Sequence, residues 1–406
     1  MSKDNEDVNS GQPVTDTNEE LKCLPDLEVS QLRYLASHSE YEPAKRKAAW
    51  EKLVERIKEL EMAPYYEDVC HSMSRPVDEA LLAGLKAKNA ETLEQCEKEI
   101  KAAEEKEGES EVRAAWLRKS EYLCRIGDKE AAVSAFRQTF EKTVGIGNRI
   151  DLVFHQIRLG LFYMDHQLVQ ANISKAKDLM EQGGDWDRKN RLKSYEGLYK
   201  LAVRDFKGAA ALLLEAIPTF GSYELMTYEQ LTSYTVIACM LALERAEIES
   251  QLRKSAEVQE QLNSAPSLSL LRDFVDSFYH CNYDQFFRCL ATLEETEQLK
   301  FNRYLGPHYA YYARAMRIKA YDQFLTPYKT VKLEAMARQF GVSTEFVDRE
   351  LHSLIANGSL HCRIDAVRAI VETNRPDSKN DLYRTLIRDG DILLNRVQKL
   401  SRVIND

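Results

Sequence analysis

The sequence predicts a mostly α protein: a right-handed, TPR-like helical-repeat solenoid, then a winged helix, then one long C-terminal bundle helix. Three observations carry that prediction. From about residue 25 to about residue 320 almost every window has helical periodicity broken only briefly. Within that stretch a turn ending in Asp recurs at roughly 40-residue spacing, as stacked helix pairs require. The final stretch of about eighty residues then changes character, to two short helices, a hairpin and an amphipathic helix.

The N-terminal residues 1–24 come first and read as a disordered acidic tail. Asp4, Glu6, Asp7, Asp16, Glu19 and Glu20 stand among almost no apolar residues, too few to offset chain entropy by burial. Residues 25–190 are expected to form N-terminal helical repeats and 191–325 further repeats of the same kind. The turn residues Asp128, Asp165, Asp205 and Asp284 recur at offsets of 37, 40 and 79, one degenerate unit being skipped. Ala131, Ala132, Ala135 and Phe136 follow the first turn, Leu168 and Ala171 the second, Ala209, Ala210 and Leu213 the third, and Phe286, Phe287 and Leu290 the fourth. Small residues there let neighbouring helices approach without losing helix propensity. The run from Gly183 to Lys193 is the most polar interior break. It reads either as a helix stop at Gly183 and Gly184, an Asp185 cap and surface pairing of Asp187 with Arg188 or Arg191, or as a docking loop anchored by Trp186.

The winged helix is expected over 326–375. Leu333, Met336, Ala337 and Phe340 have the spacing of a buried helical stripe, and Gly341 ends it. Ser343 then caps a second helix with Phe346, Val347, Leu351, Leu354 and Ile355 on its inner face, stopped by Asn357 and Gly358. Leu360, Cys362 and Ile364 alternate with His361 and Arg363 as a strand, and Ala369 to Thr373 supplies its partner. Pro376 opens the last element, residues 376–406. There Leu386, Leu393, Val397, Leu400 and Ile404 form a heptad seam that either folds back on the winged helix or joins an intermolecular bundle.

Composition excludes several functions. The chain has 406 residues, enough for two structural units, with 30% charged residues and a mean hydropathy of −0.47. No apolar run approaches the roughly 18 residues of a membrane span, and no signal peptide is expected. A formal net charge of −9 disfavours a phosphate-backbone partner. The second helix of the winged unit adds Glu345, Asp348 and Glu350 against Arg349, an outward face that would repel DNA. Eight scattered cysteines without C-x-x-C or zinc spacing read as reduced thiols, and no metal or cofactor is expected. Phosphate-loop, dinucleotide and H-E-x-x-H motifs are absent. His280 next to Cys281 is the nearest thing to a catalytic pair, a thiol hydrolase in principle, but adjacent residues on a helix diverge by about 100°.

The runs 121–130, 160–165, 183–188, 222–226, 360–365, 372–380 and 394–404 resemble the Rpn7 family, PCI-domain non-ATPase subunits of the 26S proteasome regulatory particle lid. The likeness covers nearly everything after residue 25 and departs from the family pattern in the tail. It implies a PCI domain over 191–375 whose winged-helix PCI module spans 326–375. It implies no catalysis by this chain, but a scaffold role in lid assembly and ubiquitin-dependent degradation. Winged helices of such subunits pair edge to edge and their terminal helices gather in one bundle. Leu360, Cys362, Ile364, the seam residues and Trp186 are accordingly the interface candidates. The implied partners are other PCI and lid subunits in a hetero-oligomer, with the ATPase ring as a further one, in cytoplasm and nucleus, and neither nucleic acid nor membrane. A PCI subunit of the signalosome is the alternative, and a thiol hydrolase using Cys281 and His280 a distant one.

Overall fold

The computed structural model describes residues 24–105, 108–296, 298–373 and 378–405. The acidic tail expected over residues 1–24 lies outside them except for Leu24. Nineteen α-helices and three short strands are described. The first ten helices are α1 (Leu27–Ser37), α2 (Pro43–Leu60), α3 (Ala63–Ser72), α4 (Glu79–Glu105), α5 (Glu109–Ile126), α6 (Lys129–Glu141), α7 (Ile146–Tyr163), α8 (His166–Glu181), α9 (Trp186–Ala202) and α10 (Phe206–Ala216). Next come α11 (Tyr228–Ala242), α12 (Arg245–Ile248), a π-helical turn Glu249–Arg253, α13 (Ala256–Ser264), α14 (Ser269–Tyr279), α15 (Tyr283–Glu295) and α16 (Tyr309–Leu325). The end is β1 (Thr330–Lys332), α17 (Leu333–Phe340), α18 (Thr344–Ala356), β2 (Cys362–Asp365), β3 (Ile370–Thr373) and α19 (Ser378–Asn405). None of the described helices is long and apolar enough to cross a membrane.

The chain divides into two compact units that interleave in sequence. One holds the residues up to Ser30, Val54–Arg188 and Ser222–Leu225; the other holds Gln31–Leu53, Lys189–Gly221 and the residues from Met226 on. The sequence places one boundary after residue 190, whereas the structure also assigns 31–53 to the later unit.

In the first unit, helix pairs are closed by one recurring device. At the end of α5, Gly127 takes φ 77°, its N–H bonds Cys124 O and the next N–H, of Asp128, bonds Leu123 O at 3.2 Å. This is a Schellman closure, which satisfies the last free carbonyls of a helix. Glycine is required twice over, because a Cβ would stand 2.8 Å from that of Tyr65. Asp128 then caps α6 by accepting from Ala131 N at 3.0 Å. At the end of α7, Met164 takes φ 55° and Asp165 caps α8 by accepting from Gln167 N and Leu168 N. The close packing of α8 comes from Val169, Ile173 and Ala176; Ala171, expected in that role, is exposed.

The second unit repeats the device. Arg204 takes φ 69° and Asp205 caps α10, accepting from Gly208 N at 3.0 Å. The fourth turn differs from expectation: Cys281 takes φ 60° and Asn282, not Asp284, precedes the helix. Asp284 lies within α15, pairs with Arg288 and fills the space a side chain at Gly341 would need. Residues from the N-terminal part of the chain reach this unit as a strap. The Gln31 side chain donates to Phe301 O at 2.7 Å and accepts from Arg303 N at 3.1 Å, while Tyr41 packs on Phe301 at 4.8 Å between ring centroids.

The winged helix follows α16 in the same unit. Phe340, at the end of α17, is ringed by Tyr283, Tyr321, Phe287 and Phe324 of α15 and α16 at centroid distances of 4.8, 4.8, 5.0 and 5.4 Å. Ser343 accepts from Phe346 N at 3.3 Å and caps α18, whose Val347, Leu351 and Leu354 are buried. Two residues of α18 face otherwise than the sequence implies. Phe346, expected inside, is 44% exposed. Glu350, expected outside, turns inward to accept from Arg317 Nε at 2.7 Å and from the Tyr321 hydroxyl at 2.5 Å. Burial, then the Glu350 contact, pushes the Tyr321 phenol well above its ordinary pKa, so its proton stays in that bond. The sheet has order β1-β3-β2, with Val331 opposite Val371 and Arg363 opposite Glu372 in antiparallel register. Strand β1, three residues long and paired with β3 forty residues later, is too short for the sequence pattern to show.

Candidate assembly surface

The surface that the fold leaves uncovered begins at the wing. Strand β3 is central, so the outer edge of β2 has no partner strand among the described residues and offers main-chain donors and acceptors. The hairpin is tightened by Asp365, whose carboxylate accepts from Val367 N and Arg368 N at 3.0 and 3.2 Å, and Val367 at the tip is 96% exposed. Of the three strand side chains proposed as contacts, Leu360 and Cys362 are buried to 5% exposure and belong to the core of the wing. Their alternation marks the inward face of the strand. Ile364 is half-buried. The backbone of β2, rather than those side chains, is what a neighbour can reach.

Helix α19 is the reverse case. Leu386, Leu393, Val397 and Leu400 are all exposed, and so are Leu382, Tyr383, Ile387, Ile392 and Leu394, between 46 and 67%. The seam does not fold back on the winged helix. Ile404 lies in the helix by its backbone, its side chain outside the described residues. At about 100° per residue, Leu382, Leu400, Leu393, Leu386, Val397, Tyr383, Leu394 and Ile387 sweep an arc of about 140°, with Gly390 inside it. A two-stranded heptad seam is narrower. This width therefore suits contact with more than one helix, and Gly390, where a Cβ would meet nothing within 4 Å, lets one of them come close. Strict heptad counting misses Leu382, Ile387 and Leu394; a helical wheel finds them. Arg384, Arg388, Lys399 and Arg402 occupy the opposite side.

Trp186 opens α9 and is 69% exposed. The segment carrying it is pinned by Arg188, whose guanidinium forks onto Asp151 at 2.9 and 2.8 Å and also meets Asp185. Asp151 holds the Arg188 pKa above its ordinary value. Gly147 leaves room for this, since a Cβ there would stand 3.0 Å from the guanidinium. The expected pairing of Arg188 with Asp187 is replaced by one across to α7.

No hydrogen bond joins His280 to Cys281 among the described residues. Cys281 is the left-handed turn residue that closes α14, and its sulfur receives the Gln323 amide at 3.3 Å. His280 Nε2 lies 3.2 Å from Arg253 instead. Among the described residues no group of three or more His, Cys, Asp or Glu could hold a metal ion.

Comparison with known proteins agrees with this layout. The family described as 26S proteasome subunit RPN7 matches residues 78–251, the PCI domain matches 287–375, and the 26S proteasome regulatory subunit RPN7/PSMD6 C-terminal helix matches 383–404. The last match lies on the exposed helix α19. The 26S proteasome non-ATPase regulatory subunit 6 of Caenorhabditis elegans is 55% identical over 400 residues, 97% of each chain. That of Dictyostelium discoideum is 44% identical over 388 residues, covering 96% of this chain and all of its own. The 26S proteasome regulatory subunit RPN7 of Saccharomyces cerevisiae is 35% identical over 402 residues, 94% of each. With relatives this similar over nearly their whole length, and a PCI module ending in a matched, unburied helix, the chain belongs to the RPN7 family of 26S proteasome non-ATPase regulatory subunits.

Proposed function

We propose that this chain is a non-catalytic scaffold of the proteasome regulatory particle lid, in which α19 enters a helical bundle and the free edge of β2 pairs with the wing of a neighbouring PCI subunit. The observation that carries the reading is the apolar arc of α19, which the unit to which it belongs leaves uncovered. Each leucine buried there contributes about 1.5–3 kcal/mol, so a few of them outweigh the cost of ordering the complex. The role is structural support for ubiquitin-dependent degradation, with other lid subunits as the immediate partners and the ATPase ring as a further one. The 26S names of the relatives favour the lid over the signalosome. Placement in the cytoplasm and nucleus belongs to the same reading and is supported by the free thiols of the described cysteines.

Removing 393–406 tests it. The shortened chain is expected to keep its helical content and melting temperature and to be lost from particles purified through another subunit. Co-purification at normal yield would overturn the role given to α19.

A further inference from the structure

Helix α19 carries a charge pattern that its apolar arc does not explain. In heptad terms Tyr383, Gly390 and Val397 take the first core position, and Leu386, Leu393 and Leu400 the second. Ile387 and Leu394 flank this seam on one side, Asp389 and Arg396 on the other. All of them are exposed. Among the described residues, Asp389 pairs only with its neighbour Arg388, at 3.4 Å and open to solvent, and Arg396 has no ion pair at all. An exposed contact of that kind holds a side chain weakly, so both charges are available to a partner that matches them.

A second copy of the same helix matches them in one arrangement. Laid antiparallel with first core positions against second, Tyr383 meets Leu400, Gly390 meets Leu393 and Val397 meets Leu386 of the other copy. Gly390 leaves room for the opposing leucine. The same register sets Asp389 against the other copy's Arg396, twice over by the two-fold symmetry, and Ile387 against Leu394 on the opposite flank. That flank takes up apolar residues which a bare heptad seam leaves out. A slip of one heptad in either direction sets Asp389 against Asp389 or Arg396 against Arg396, and like charges then oppose. A parallel pair sets Asp389 against Leu394 and offers it no cation. We propose that the chain, before it meets other subunits, pairs with a second copy through antiparallel α19 helices, in the register fixed by Asp389 and Arg396. The paired stretch, 383–400, is about 27 Å long. Such a contact lies at the small end of specific interfaces, which gives a Kd on the order of 10 μM and lets other partners displace it. The pairing uses the helix of the bundle proposed above but does not rest on that bundle, since no other subunit takes part.

Sedimentation equilibrium of the isolated full chain, at about 1 to 100 μM to bracket that Kd, tests this. A monomer–dimer equilibrium is expected. Asp389→Arg or Arg396→Asp alone should weaken it about tenfold, because each turns two attractive contacts into repulsive ones. Both positions are exposed, so the fold is left as it was. An equimolar mixture of the two variants should associate as tightly as the parent chain, since each copy then supplies the charge that the other lacks. A chain that stays monomeric throughout, a larger oligomer, an association that neither variant weakens, or a mixture that restores nothing would each overturn the pairing. Loss of the chain shortened at 393 from purified particles is read separately, so either proposal can fail while the other stands.

Discussion

Phe340 and Leu393 are both large apolar residues on amphipathic helices of the same unit. Phe340 is 1% exposed and ringed by four aromatic side chains, while Leu393 is 64% exposed. The first helix, α17, finished its hydrophobic task when the chain folded. The second, α19, did not. Burial of the first kind sets whether the chain is folded, and burial of the second kind, in the role proposed for α19, sets whether it is assembled. The two free energies are therefore separable by mutation, since they reside in different helices.

The largest effect should come from the buried side. Phe340→Ala removes the hub between the winged helix and α15/α16 and is expected to cost about 3–5 kcal/mol, a large share of a typical total. Chemical denaturation should show the lower midpoint; an unchanged midpoint would mean that the winged helix is held elsewhere. Leu400→Asp acts on the exposed side. It should leave the isolated chain within about 0.5 kcal/mol of the original. Assembly should weaken by about 3 kcal/mol or more, over 100-fold, because a leucine is lost and a charge is buried without a partner. Native-gel migration and isothermal titration with the remaining lid subunits would separate these outcomes, and a shift in the melting temperature of the free chain would blur the contrast.

The smallest effect concerns the turns within the repeats. Lys129, and then the backbone N–H of Leu168, hold the Asp165 carboxyl below its usual pKa of 3.8. Its folded pKa is depressed, so its contribution is complete above the unfolded value and disappears as pH falls through the lower folded one. Asp165→Asn should therefore lose about 0.5–1 kcal/mol at neutral pH, allowing for solvent screening of the partly exposed pair. The gap to the parent chain should close in acid. A difference that persists at pH 2 would show that hydrogen-bond geometry, not charge, carries the cap.

Local signals made much of this legible. The Ser343 cap, the stops at Gly341 and Gly358, and the Asp caps at 128, 165 and 205 are decided by residues within one turn of each other. The fourth turn was misplaced by two residues because α15 starts after Asn282, whose side chain donates to Gln285 instead of capping the helix. Errors of facing have another origin. The outline of α18 follows from its own residues, but Glu350 turns inward only because Arg317 and Tyr321 wait on α16. Leu360 and Cys362 show the same limit, since alternation reveals that a strand has two faces without saying which one meets the core. Gln31 grips a loop 270 residues away, a pairing that no window could contain. For α19 the seam was visible, and its full width emerged once every described side chain proved uncovered.

That uncovered helix has a consequence for the chain before it meets any neighbour. Eight large apolar side chains along one face of a 28-residue helix form a patch well beyond what a solitary soluble protein carries safely. A copy made in excess of its partners is a seed for aggregation and a target for chaperones. In the assembly role proposed for α19, supply of this polypeptide would have to be matched to its partners, and the same helix would mark its surplus copies.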